Sequence, residues 1–139
     1  MSFGVEIPFV TLLGFDLTLF HDGASEIVYV PQPEHMNSFQ VAHGGSIMTL
    51  LDVTMATAAR SVTPDMGVVT IEMKTSFMRP GKGRLLGKGR LMHRTRSMAF
   101  TEATVYNEAG EACAHSTGTF KYVPRTAQPG QGPAALPTD

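Results

Sequence analysis

Between Gly44 and Ser61 the chain carries Ile47, Met48, Leu50, Leu51, Val53, Met55, Ala56, Ala58 and Ala59 around the whole circumference of a helix, not along one stripe. A helix that is apolar on most sides must be buried on most sides, and this demand constrains every architecture open to the chain. The glycine pair at 44–45 opens the segment, and Pro64 prevents it from running far beyond Val62. The surroundings read as strands. Two runs, 14–20 and 25–30, flank His21-Asp22-Gly23-Ala24, where Asp-Gly predicts a hairpin turn. Pro31 and Pro33 then open a loop to about Ala42. Beyond the helix, residues 69–77 alternate apolar and polar with period two, and further strands are expected at about 84–93, 97–106 and 112–122.

That order, two strands, one buried helix and about four more strands, has one economical solution in the α+β class. A long antiparallel sheet of five to six strands wraps around a single central helix and covers it on one side. Part of the helix and an edge strand stay uncovered, so a second copy related by a two-fold axis is expected to cover them. With 139 residues the chain supports one domain, here 1–123, and the Pro- and Gly-rich 124–139 reads as a flexible C-terminal tail. No internal repeat is present.

The formal net charge of −1 gives no reason to expect a nucleic-acid or membrane partner. It conceals a local excess, because Lys74, Arg79, Lys82, Arg84, Lys88, Arg90, Arg94 and Arg96 fall in a stretch without Asp or Glu. Such a run suits a solvated edge strand guarded by its charges, or a surface that binds a small polyanion. Cys113 is the single cysteine, which excludes an internal disulfide and fits a reducing compartment. The N-terminal residues show no signal-peptide pattern, and no apolar run is long enough to span a membrane, so a cytoplasmic protein is expected. The five histidines lack metal-ligand spacing, and no metal site is expected.

Two features carry candidate chemistry. His43-Gly44-Gly45 stands at the helix N-terminus, where unpaired backbone N–H groups suit a carbonyl oxygen gaining charge during acyl transfer; a plain glycine-rich helix entry uses the same residues. Asp52 lies among Leu50, Leu51, Val53 and Met55, with no Lys or Arg within four positions, and an unpaired carboxylate there is expensive to desolvate. Gly44 and Asp52 are eight residues apart, about 12 Å along a helix. One chain therefore cannot bring both to one reacting group, whereas two antiparallel helices across a dimer axis can.

The run Asn37-Ser-Phe-Gln-Val-Ala-His43-Gly44-Gly45, followed by Asp52, resembles the signature of the hotdog-fold acyl-CoA thioesterases of the phenylacetate-degradation, PaaI-like group. The resemblance implies a homodimer sharing its active sites, often paired into a tetramer, and hydrolysis of acyl-CoA thioesters with no cofactor beyond the coenzyme A of the substrate. It implies that the Gly44 N–H polarises the thioester carbonyl and that Asp52 of the other subunit acts as nucleophile or general base. Asn37 then orients the water or thioester, and His43 positions the loop or the leaving sulfur. Thr70 matches a hydroxyl placed near the carboxylate, although a strand threonine has an ordinary β-propensity explanation as well. The family pattern has Gly three residues after the Asn; this chain has Gln40, which implies a narrower or re-aimed loop. For coenzyme A the chosen contacts are Arg79, Arg96 and Ser97, with Gly45 beside them. Phe39, Met48, Met55, Phe77 and Met98 are candidates for the acyl pocket. Two other readings use the same fold: a non-catalytic acyl-CoA or lipid-binding module, and an acyl thioester hydratase. The hydratase pairs an acid with a histidine some five residues on, where this chain has Thr57.

Overall fold

The structure is a computed structural model that describes residues 1–125. The tail expected from 124 onward falls, from residue 126, outside the described residues; Pro124 itself closes the last strand. The elements are α1 (Pro8–Leu13), β1 (Asp16–His21), β2 (Ala24–Tyr29), a 3₁₀ turn (Pro33–His35), α2 (Gly44–Arg60), β3 (Met66–Phe77), β4 (Leu85–Arg94), β5 (Met98–Tyr106) and β6 (Ala112–Pro124). Six antiparallel strands form one sheet in the order β1-β2-β4-β5-β6-β3, and α2 touches every one of them. This is the hotdog arrangement, an antiparallel sheet with one central helix.

Burial explains it. Leu50, Leu51, Met55 and Ala58 have no exposed surface, and each large aliphatic chain so buried contributes about 1.5–3 kcal/mol. Leu50, Leu51 and Met55 meet Ile27, Leu85, Ala103, Val105 and Phe120, which the period-two alternation turns to the same face of the sheet. The β1–β2 turn has Asp22 at φ 48° and Gly23 at φ 87°, the left-handed pair that a two-residue hairpin requires. On β4, Gly87 and Gly89 face the helix. A Cβ at Gly87 would lie 2.7 Å from Thr54 Oγ1, and one at Gly89 would lie 2.7 Å from the Thr54 carbonyl oxygen. The helix axis thus rides on bare backbone there, pinned by Ser25 Oγ donating to that same oxygen at 2.6 Å.

Three features depart from the sequence reading. The short helix α1 was not anticipated; it starts on a proline, ends on Gly14 at φ 76°, and buries Val10 and Leu13. Next, β3 begins at Met66, three residues ahead of the expected Val69. Third, the charged strand β4 lies inside the sheet between β2 and β5, so the edge-strand explanation of the basic run is wrong for Lys88, Arg90 and Arg94. The connection after Phe77 crosses the end of the sheet and leaves β3, paired only with β6, as one edge, with β1 at the other. Along α2 the residues Gly45, Met48, Thr49, Asp52, Val53 and Ala56 remain partly or fully exposed, and this stripe follows the i, i+3, i+4 spacing of one helix face.

Candidate active site

His43 caps α2. Its backbone is extended at φ −60°, ψ 139°, and its Nδ1 accepts the Gly45 N–H at 2.9 Å. An accepting Nδ1 requires the tautomer with the proton on Nε2, so the exposed imidazole offers a donor outward. Because the cap occupies Gly45, the orphan donor of the first turn is Gly44 N–H, which has no hydrogen-bond partner among the described residues. Gly45 is thereby a capping contact, not a free ligand donor.

Asn37 organises the preceding loop. Its Oδ1 accepts the N–H groups of Phe39 at 2.8 Å and Val41 at 3.3 Å, and its own N–H donates to Val41 O at 2.8 Å. The amide oxygen is thus committed to the loop, and the NH₂ group is what Asn37 can present to a ligand. Gln40 sits at φ 61°, the left-handed region that the family's glycine would adopt freely. At Gln40 the loop adopts a conformation that glycine reaches without cost, and it carries about 1 kcal/mol of backbone strain there.

These elements border a cleft with a volume of about 610 Å³, lined by Asn37, Phe39, Gly44, Ile47, Phe77 and Arg79 among others. Gly81 closes its floor, since a Cβ there would stand 2.7 Å from Ile47 Cδ1. Sequence reading missed Gly81; Pro80-Gly81 signals a turn but not a close approach. Of the proposed acyl-pocket residues, Phe39 and Phe77 line this cleft. Met55 instead packs in the core against Gly118, Met48 lies on the open stripe of α2, and Met98 lies at the far end of the sheet.

Asp52 projects from the middle of that open stripe. Thr70 Oγ1 donates to its Oδ1 at 2.7 Å across to the edge strand, just before the register shift at Thr70–Glu72. Partial burial raises the Asp52 pKa above the usual carboxylate value, and the Thr70 hydrogen bond opposes part of that rise. The outcome is a carboxylate more basic than a solvated one, with Oδ1 held by Thr70 and Oδ2 without a partner among the described residues.

The remaining candidates divide the same way. The Arg79 Nη1 donates to Ala112 O at 2.8 Å, near Glu111 at 3.7 Å, at the start of β6. Arg96 and Ser97 form the β4–β5 turn, and Ser97 O accepts the Tyr122 N–H at 2.8 Å near the end of β6. Ala112 and Tyr122 are ten residues apart on one strand, about 33 Å. In one chain, then, Arg79 cannot share a ligand with Arg96 and Ser97. It stands with Asn37 and Gly44, whereas Arg96 and Ser97 stand at the level of Thr70, whose partner on β6 is Phe120. The candidate residues thus fall into two separate groups, a donor half around Gly44 and a carboxylate half around Asp52. Among the described residues no cluster of three or more His, Cys, Asp or Glu could hold a metal ion, and no helix is long and apolar enough to cross a membrane.

Comparison with known proteins agrees with this geometry. The thioesterase superfamily matches residues 39–114, more than half of the chain and inclusive of the His43–Asp52 block. A conserved protein of Pseudomonas aeruginosa of known structure is 29% identical, superposes with a TM-score of 0.82, and covers 86% of this chain and 97% of its own. A phenylacetic acid degradation-related protein of Ralstonia eutropha JMP134 is 25% identical, with a TM-score of 0.77 and coverage of 84% and 92%. The PaaI protein of the Escherichia coli phenylacetic acid degradation operon shares the fold at 20% identity, a TM-score of 0.78 and 83% coverage of each chain. No match is found among curated proteins. With the sheet, the buried helix and the matched block in agreement, the chain belongs to the thioesterase superfamily, as a hotdog-fold thioesterase of the PaaI-like kind.

Proposed function

We propose that this thioester hydrolase cleaves acyl-CoA to the free acid and coenzyme A, at sites that two subunits build together. The observation that carries the reading is the separation of the donor half from the carboxylate half on one chain, beside an open β3 edge and an open stripe on α2. A two-fold axis perpendicular to that edge strand and to α2 runs the two helices antiparallel and sets Gly44 of one subunit against Asp52 of the other. Each dimer then has two equivalent sites, and dimers pair further into a tetramer.

At such a site the thioester oxygen accepts the Gly44 N–H, whose partial positive charge is largest at the helix start. Asp52 of the second subunit adds to the carbonyl carbon as nucleophile, or takes a proton from the attacking water; its raised basicity serves both routes. Thr70 fixes the carboxylate from behind. The Asn37 NH₂ orients the water or the thioester, and the Nε2–H of His43 faces the departing sulfur. As the C–S bond breaks, the water supplies oxygen to the acid and a proton to the thiol. Arg79 from the donor half, and Arg96 and Ser97 from the carboxylate half, hold the coenzyme A phosphates. Water is the only co-reactant, and the enzyme works in the cytoplasm.

Mixed dimers test the shared site. Asp52→Ala subunits and Gly44→Pro subunits, each inactive alone, are combined in equal amounts and thiol release is measured. One site per heterodimer is then intact, so about a quarter of wild-type activity should return. No recovery in verified heterodimers would show that each chain works alone.

A further inference from the structure

Two buried side-chain polar atoms lack a hydrogen-bond partner among the described residues, Tyr29 Oη and Arg60 Nε. Arg60 closes α2 and still donates through Nη1 to Phe3 O at 3.2 Å. Tyr29 lies by the helix start, with no exposed surface, and its only polar side-chain atom is the unpaired one. A phenylalanine would fill the same space without the cost of desolvating an unsatisfied hydroxyl, so the oxygen needs a reason.

The Tyr29 ring is clamped. Phe15 packs edge-on against it at 5.0 Å between centroids, and His35 lies tilted beside it at 5.7 Å. Its hydroxyl therefore keeps one place, next to the hydroxyl of Ser46. Burial pushes the Tyr29 pKa up, and Ser46 draws it part of the way back. The two hydroxyls are neighbours that stop short of hydrogen-bonding geometry.

Ser46 is already engaged as a donor. Its Oγ donates to His43 O at 2.8 Å, and the same oxygen accepts the N–H groups of Ser46 at 2.9 Å and Ile47 at 3.2 Å. Donation uses the one proton of the serine hydroxyl and leaves its lone pairs to accept, and Tyr29 is the adjacent O–H without an acceptor. His43 O belongs to the same peptide unit as the Gly44 N–H. That unit is planar and trans, so fixing the oxygen fixes the direction of the N–H on the opposite side. Donors on the oxygen also draw electron density from the nitrogen, which makes the N–H a stronger donor in turn. The other side of His43 is tied as well, because its N–H donates at 2.9 Å to the carbonyl of His35, the residue beside the Tyr29 ring.

We infer that Ser46 and Tyr29 are positioning residues that aim and polarise the Gly44 N–H from behind, through the His43 carbonyl, and that the Tyr29-to-Ser46 hydrogen bond closes when a thioester oxygen loads that N–H. The inference rests on the reading of Gly44 as the donor to the thioester. An ordinary serine bond back to the helix start would involve Ser46 alone and give the Tyr29 hydroxyl no part.

The test uses the full chain carrying Ser46→Ala, Tyr29→Phe or both, and measures thiol release from acyl-CoA. The carbonyl stretch of bound acyl-CoA is read by infrared difference spectroscopy in the same variants combined with Asp52→Ala. Ser46→Ala should lower kcat about fivefold and Tyr29→Phe about threefold with KM unchanged, and the double variant should lose no more than Ser46→Ala alone. In each single variant the carbonyl band should move to higher frequency as its polarisation weakens. Tyr29→Phe removes a hydroxyl that is unpaired before substrate binds, so its Tm should hold or rise while kcat falls, opposite to a structural role. Unchanged kcat in both single variants, or a fixed carbonyl band beside a fallen kcat, overturns the proposal. Additive losses in the double variant overturn the link between the two hydroxyls. Each of these outcomes leaves the acyl-CoA reading standing; wild type that releases thiol from no acyl-CoA overturns that reading and the proposal with it.

Discussion

The two half-sites differ in how completely one chain builds them. Around Gly44 the chain finishes the work: Asn37 closes its loop with its own amide oxygen, His43 caps the helix, and Gly81 seals the cleft floor against Ile47. Around Asp52 it does not. Among the described residues that carboxylate accepts one hydrogen bond, from a threonine on an edge strand, and stands on a helix face that remains partly exposed. On the proposed function, the closed loop and cap around Gly44 suit a preorganised oxyanion donor. On the same proposal, a second subunit completes the carboxylate half.

The largest way to break this comparison is Asp52→Ala. If the carboxylate is the reacting group, kcat should fall by about 10³- to 10⁴-fold while circular dichroism and elution volume stay unchanged; retained thiol release would remove Asp52 from the chemistry. Gly44→Pro attacks the other half with little structural cost. Gly44 is the first residue of α2, where proline is tolerated, and the extended backbone of His43 already suits a residue preceding proline. A Cβ at Gly44 would meet Phe77 at an ordinary 3.5 Å. Loss of the N–H should lower kcat by about 10²- to 10³-fold with Tm nearly unchanged.

A smaller effect is expected in the pH profile. The raised Asp52 pKa means that the folded protein binds this proton more tightly than the unfolded chain does. Its contribution to stability is present at low pH and is lost as pH rises between the ordinary carboxylate value and the raised one. Activity runs oppositely, falling as pH drops through the raised value. Thr70→Val removes the opposing hydrogen bond, so the acidic limb of kcat/KM should move to higher pH; a fixed limb would assign it to another group. The smallest effect is expected from Gln40→Gly. Relief of the left-handed strain and the extra freedom of the unfolded chain nearly cancel, so stability should change by less than about 1 kcal/mol, and thermal melts check this.

Much of this was legible in the residues because the signals were local. The bounds of α2, the Asp22-Gly23 turn and the exceptional position of Asp52 all follow from periodicity and turn chemistry within a few positions. Thr70 was legible only through resemblance, since nothing local separates it from any strand threonine. What escaped depended on long-range pairing. Six residues of α1 are too few to show a helical period. The placement of β3 beside β6, which moved the basic strand β4 to the interior, depends on which hydrogen-bond ladders close. Likewise, Arg79 and Arg96 lie close in the sequence yet at opposite ends of a strand.

By itself the sequence determined that one helix must be buried, that strands must wrap it, and that Gly44 and Asp52 of one chain stand too far apart to act on one bond. Helical rise and side-chain periodicity are local, and eight residues span the same distance in any fold. Only the tertiary structure decided which edge stays open, which cations border the cleft, and which atom of Asn37 remains free. Those outcomes depend on contacts between residues distant in the chain, where packing and hydrogen-bond pairing outweigh local preference.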